Sequence, residues 1–190
     1  GNYTITQPAD TADITTRPIT VTGATDTKVY DGNPTSSGVP TITVGSLVGG
    51  DTVTWSQTYD DKNVGTGKSL TPAGTVSDGN SGNNYDITLV ADTTGVITAK
   101  AITVSGVTAN DKVYDGATGA TLNTGTAALV GVVGGDTVTI GVGGAIGSFA
   151  DKHAANGKTV TISGITITGV DAGNYTITQP ADTADITTRP

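Results

Sequence analysis

Apolar and polar residues alternate along most of this chain with a period of two. Ile19 and Val21 interleave with Thr20 and Thr22, and Val53 and Trp55 with Thr52 and Thr54. The pattern returns in Thr159-Val160-Thr161-Ile162, Ile165-Thr166-Ile167-Thr168 and Tyr175-Thr176-Ile177-Thr178. Successive strand residues point to opposite faces, so each run predicts a strand with one buried and one solvated side. Clusters of Gly, Asn and Asp at 78–80, 82–84 and 171–174 separate the runs, as turns require. A single helical turn is expected at Ala127–Val133, with a poorer counterpart at Gly45–Val48.

The pattern is also written twice. KVYDG stands at 28–32 and 112–116, GGDTVT at 49–54 and 134–139, and NNYDIT at 83–88 answers GNYTIT at 173–178. An Asp-Lys pair ahead of a Gly-Lys recurs at 61–68 and 151–158. The order is kept and the offsets drift slightly, which gives two modules, 18–100 and 101–190. Residues 1–18 and 173–190 are identical. The expectation is therefore a longer array with a period of 172 residues, in which 1–17 are the closing strands of a preceding, truncated repeat. Modules of this length fold around their own cores, unlike solenoid repeats. The fold class expected is mainly β: two tandem small modules, sandwich-like or β-grasp-like, with six or seven strands and at most one short helix each. The joint Val96–Val104 has no Gly, Pro or Ser, which predicts modules arranged end to end without a flexible linker.

Composition sharpens this picture. Threonine fills about one position in five, and Met, Cys and Glu are absent, so all seventeen acids are aspartate. Losing helix formers and gaining β-favouring residues supports the all-β reading. A net charge of −8 repels phosphates, so neither nucleic acid nor an anionic membrane surface is an expected partner. No apolar run approaches the length of a transmembrane helix, so no membrane insertion is expected. Without cysteine there is no disulfide, zinc–thiolate site or thiol nucleophile.

The candidate chemistry reads as structural. In VYDG the tyrosine and valine point to opposite faces, Asp closes the turn, and Gly takes positive φ. Tyr30-Asp31-Gly32 and Tyr114-Asp115-Gly116 are therefore expected to be structural motifs, with both tyrosines plugging the core; a ligand site around Tyr and Asp is the competing reading. Tyr85 and Tyr175 have the same logic of turn, core aromatic, then alternation. His153, the sole histidine, aligns with Asn63, and Trp55 with Ile140, which fits a solvated loop residue and a core position. Asn174-Tyr175-Thr176 is an N-glycosylation sequon, but Asn84-Tyr85-Asp86 is not, so a modification serving the array is not expected. Hard cations want clustered oxygens, and Asp13 and Asp185 beside the module joints are the calcium candidates; solvated charges and turn caps explain them as well. No catalytic motif or cofactor fingerprint is present, so neither an enzyme nor a cofactor is expected.

The ordered set K-V-Y-D-G, L-V-G-G-D-T-V-T, F-A-D-K-x-x-x-x-G-K-T-V, G-N-Y-T-I-T and A-D-I-T resembles the YDG-type repeat of large bacterial surface adhesins of the filamentous-haemagglutinin-like kind. The second module carries it in full; the first has Tyr59 for the phenylalanine, Leu70 after Gly67-Lys68-Ser69, and Asp86 for a threonine. The resemblance implies a secreted stalk module at the bacterial cell surface, monomeric, whose partners are adjacent repeats and host or biofilm components. The alternative is a repeated glycan- or adhesin-binding module acting through avidity.

Overall fold

A computed structural model describes residues 1–190. The first repeat contains β1 (Arg17–Thr22), β2 (Thr27–Val29), β3 (Thr41–Val44), β4 (Thr52–Val53), β5 (Ser56–Tyr59), β6 (Gly65–Ala73), β7 (Val76–Ser77), β8 (Tyr85–Val90) and β9 (Asp92–Thr98). The second contains β10 (Lys100–Ser105), β11 (Thr108–Ala109), β12 (Lys112–Val113), β13 (Gly119–Ala120), β14 (Leu122–Asn123), β15 (Ala128–Val130), β16 (Thr139–Gly141), β17 (Ile146–Phe149), β18 (Ala155–Ser163), β19 (Thr166–Thr168), β20 (Tyr175–Thr178) and β21 (Ala181–Thr187). The structure is mainly β. Its one helical piece is a 3₁₀ turn at Ala172–Asn174.

Two expectations are corrected. The strands number more than six or seven per repeat, because several are two-residue pairings inside what the pattern shows as turns. Ala127–Val133 is not a helical turn: Ala128–Val130 pairs antiparallel with β10, Leu129 opposite Val104. Gly131, at φ +97, ends that strand. The Gly45–Val48 segment has no helix either.

The chain divides into two compact units, and the division does not follow the repeats. One unit holds 1–26, 35–60 and 69–94; the other holds 27–34, 61–68 and 95–190. The boundary passes through β6 and β9, so three segments of the first repeat, Thr27–Pro34, Asp61–Lys68 and the closing stretch from Gly95, belong with the second.

In the first unit β1 lies between β3, antiparallel, and β8, parallel, with Ile19 opposite Ile87 and Val21 opposite Leu89. Ile19 and Val21 are buried while Thr20 and Thr22 are not, the half-buried strand that alternation predicts. They form a core with Val76 and Tyr85, against which Ile42, Leu47, Val53, Trp55 and Ile87 pack. Gly74 lets the Trp55 ring close over it: a Cβ there would stand 2.5 Å from the ring.

In the second unit β10 repeats the role of β1. It lies between antiparallel β15 and parallel β20, with Ile102 opposite Ile177. A five-stranded sheet, β12-β21-β18-β17-β13, supplies the larger core around Phe149, Val160, Ile162, Ala184 and Ile186.

Residues 1–16 form no strand and are exposed throughout. The identical residues 173–188 contain β20 and β21, which pair with β10, β12 and β18. The difference is the partners, since a strand is stabilised by its neighbours more than by its own propensity.

Ile19→Ala is expected to destabilise the first unit by about 2–4 kcal/mol, the cost of a core cavity. Ile14→Ala, at a fully exposed position, should change it by no more than about 0.5 kcal/mol. Urea unfolding followed by fluorescence of Trp55, the only tryptophan, measures both.

Candidate functional site: a buried aspartate shared by two tyrosines

The YDG turn is held by its own side chains. Lys28 Nζ donates to Asp31 Oδ1 at 2.8 Å and to the Asn33 carbonyl at 2.7 Å, and Asp31 Oδ1 accepts the Asn33 N–H. Lys112 does the same with Asp115 Oδ1, at 2.8 Å, and the Ala117 carbonyl. Gly32 and Gly116 take φ of +84 and +83, values that favour glycine. Burial would raise the Asp31 carboxyl, but the bonds from Lys28 and the Asn33 N–H outweigh it and hold it below the usual range. Lys, Asp and Gly of the motif are thus occupied in shaping the turn, which leaves Tyr as the projecting group.

Tyr30 is almost wholly buried, at 1% exposure. Its N–H donates to the Thr98 carbonyl, anchoring it beside β9. Its hydroxyl donates to Asp136 Oδ2 at 2.7 Å. Tyr175, the first residue of β20, donates its hydroxyl to the same oxygen at 2.5 Å and accepts the Val133 N–H at 3.0 Å. The two rings meet edge to face with centroids 5.4 Å apart. Lys62 closes the other side, with Nζ 3.1 Å from Asp136 Oδ1 and 3.8 Å from Asp171. All these residues belong to the second compact unit.

The Asp136 side chain is 3% exposed, and a buried carboxylate is tolerated only with charge and hydrogen-bond partners. Burial pushes its pKa up, but Tyr175, Tyr30 and Lys62 outweigh it, so the group stays ionised. The carboxylate acts on its donors in return. Burial first and Asp136 second raise the Tyr175 phenol to about 12, and the Tyr30 phenol is raised for the same two reasons. Lys62 is raised by its bond to Asp136 and by Tyr30.

The second segment carried over from the first repeat docks beside this cluster. The Val64 N–H donates to Asn174 Oδ1 at 2.9 Å, and Asn174 Nδ2 to Asn63 Oδ1 at 3.2 Å. The sequon asparagine is consequently buried, at 5% exposure.

The other singled-out residues fall as follows. Tyr85 is buried in the first unit; its hydroxyl donates to Asp51 Oδ2 at 2.5 Å and accepts the Val48 N–H at 2.9 Å. Tyr114 is half-buried, not a core plug like Tyr30: one side packs on the Phe149 core and the other lines a surface recess with His153, Ala154 and Arg189. No residue equivalent to Asp136 or Val133 covers it within its unit. Asp185 in β21 accepts the Gly157 N–H at 2.7 Å, and Asp13 lies in the exposed 1–16 segment. No three acidic or histidine side chains gather into a group able to hold a metal ion. His153 is exposed and its N–H is capped by Asp151, as the Asn63 N–H is by Asp61.

Sequence reading missed Asp136 and Lys62 as partners of Tyr30. The signal was present: GGDT and DK occur in both repeats at matching offsets. What sequence does not reveal is that the tyrosine of one repeat meets the aspartate of the next.

A family model described as YDG domain matches residues 15–95 and, separately, 98–184. Comparison with curated proteins and with solved structures finds no match.

Asp136→Ala should destabilise the second unit by about 2–5 kcal/mol, because the buried Tyr30 and Tyr175 hydroxyls both lose their acceptor, whereas Lys62, 38% exposed, can turn to solvent. Tyr30→Phe should cost only about 1–3 kcal/mol, the loss of one charge-assisted bond. Guanidinium unfolding ranks the two.

The raised Tyr175 phenol predicts alkaline sensitivity. Its folded pKa, about 12, exceeds the ordinary value of about 10. Its contribution to stability is therefore full below about pH 10 and lost as pH climbs towards 12. Tyr175→Phe should flatten this part of the stability profile in thermal melts, and an absorbance titration should lose a phenolate step near pH 12 with it.

Proposed function

Since the chain belongs to the YDG domain family, in two tandem copies, we propose that it is a load-bearing spacer in the stalk of a large bacterial adhesin. In this reading the modules stand outside the cell and hold an adhesive tip away from its surface. The observation that carries the reading is how each repeat closes. Its first strand pairs in parallel with a strand near its end: β1 with β8 over Arg17↔Tyr85 to Thr22↔Val90, and β10 with β20 over Lys100↔Tyr175 to Thr103↔Thr178.

Tension along the chain enters at the start of the first strand and leaves beyond the end of its parallel partner. The two strands are pulled in opposite directions along their length. Their ladder bonds are loaded together instead of one at a time, so separation needs a concerted break. Forced unfolding is governed by that barrier and not by equilibrium stability. Two further features support a surface spacer. The chain has no thiol or thioether to oxidise, and its net charge of −8 keeps crowded copies soluble.

Single-molecule pulling tests this. The cysteine-free chain accepts engineered cysteine handles without competing thiols. Pulled through its two termini, the first repeat should resist a higher force than when pulled through handles at the exposed Thr16 and Asp86, which unzip the same strand pair. Equal forces would remove the mechanical reading. Specific retention on a glycan array would replace it with the binding-module alternative.

A further inference from the structure

The Tyr30 socket has two halves, and each half has a second copy on the chain. The projecting half is Tyr30-Asp31-Gly32 with Lys62; its counterpart is Tyr114-Asp115-Gly116 with Lys152. The receiving half is Val133, Asp136, Asn174 and Tyr175; its counterpart is Val48, Asp51, Asn84 and Tyr85.

The receiving counterpart is already built. Tyr85 donates to Asp51 at 2.5 Å and accepts from Val48 at 2.9 Å, against 2.5 and 3.0 Å for Tyr175 with Asp136 and Val133. What differs is coverage. Asn174 is buried and Asn84 exposed; Val133 is half-buried and Val48 is 53% exposed. The projecting side shows the same contrast. A Cβ on Gly32 would lie 2.8 Å from Val133 Cγ1, whereas a Cβ on Gly116 would meet nothing within 4 Å. Tyr30 is buried, Tyr114 only half so.

We infer that the Tyr114–Gly116–Lys152 face is a docking surface for a second copy of this chain, which it engages at the Val48–Asp51–Tyr85 face. The repeated sequence selects this occupant. Residues 173–190 repeat 1–18 letter for letter, so a copy joined with Pro190 in the place of Pro18 presents the receiving face after the same local sequence. In the docked state the Tyr114 hydroxyl and Lys152 ammonium reach the Asp51 carboxylate, Gly116 covers Val48, and the Ala154 N–H takes Asn84 Oδ1 as Val64 takes Asn174. Three substitutions change the joint, the first being Ala154 for Val64, which keeps the N–H. His153 replaces Asn63, and Ser81 stands where the existing socket has Asp171, so the second ion pair of Lys62 is not reproduced. The contact is heterologous, with different faces on the two partners, and it propagates instead of closing. This inference stands on repeat geometry and holds whether or not the array bears load.

The test compares the 190-residue chain with a tandem in which Pro190 is followed by a second copy beginning at Ile19. Amide hydrogen exchange is measured at Ala154 and along 114–117. Exchange at the Ala154 N–H is expected to slow by about tenfold or more in the tandem, as local opening then requires undocking. Equal exchange in the two proteins overturns the inference. V48E in the second copy is the control, because Val48 is exposed in the single chain and its melting temperature should not move there. In the tandem the substitution places a carboxylate beneath Gly116 and should return Ala154 to its single-chain rate. Protection that survives V48E assigns the contact to another surface and overturns the inference equally.

Discussion

The Asp136 carboxylate is the constraint around which the second unit is arranged. A charge at 3% exposure is costly unless its oxygens are saturated by donors. Here the donors come from three separate stretches of sequence: Tyr30 after β2, Lys62 before β6, and Tyr175 at the head of β20. Two of them lie on short segments of the first repeat that belong to the second compact unit, the first also tied there by the parallel pairing of β2 with β9. A cut at Lys100, where the repeats meet in sequence, would separate Tyr30 and Lys62 from Asp136. The unit of repetition and the unit of packing are out of step, and the shared carboxylate spans the offset between them.

Much of the fold was legible because a half-buried strand has a simple code. The alternation at Ile19–Thr22 and Thr159–Ile162 marked strands whose inward residues are now seen at 0–1% exposure. The failures have one cause in common. Ala127–Val133 offers alanine and leucine in a row, which local propensity reads as helical, yet β10 needs an antiparallel neighbour and Ala128–Val130 supplies it. Residues 1–16 give the cleanest case. The same letters form β20 and β21 at 173–188 and no strand at 1–16, so the pattern states which face would be buried but not whether a partner exists to bury it.

The site was legible by half. KVYDG was recognisable as a unit, and its Lys, Asp and Gly do shape the turn. Tyr30 and Tyr114 could not be told apart from sequence, because both sit in the same five letters. One is buried and the other half-covered because burial depends on residues about a hundred positions away, Val133 and Asp136. The anchors GGDT and DK were visible as repeated letters, but repetition does not say that they meet across a module boundary. Two interacting positions in neighbouring repeats recur together in every repeat, and so leave the same trace as two positions that never touch.

These facts join in the way the chain is closed. Each repeat pairs its opening strand in parallel with a strand near its end, separated by more than sixty residues, so the repeat is complete only once its last strands are made. Loop closure of this length carries an entropic cost that grows slowly with loop size, and it must be met before the long-range pairs return any stability. Tyr175 stands at the point where both requirements meet: it begins the closing strand β20 and donates to Asp136. Forming β20 therefore completes the sheet of its own repeat and, through the same residue, builds the receptor for the Tyr30 of the preceding one. The closing of one module and the burial of the preceding repeat's tyrosine are thereby linked through one phenol and one carboxylate.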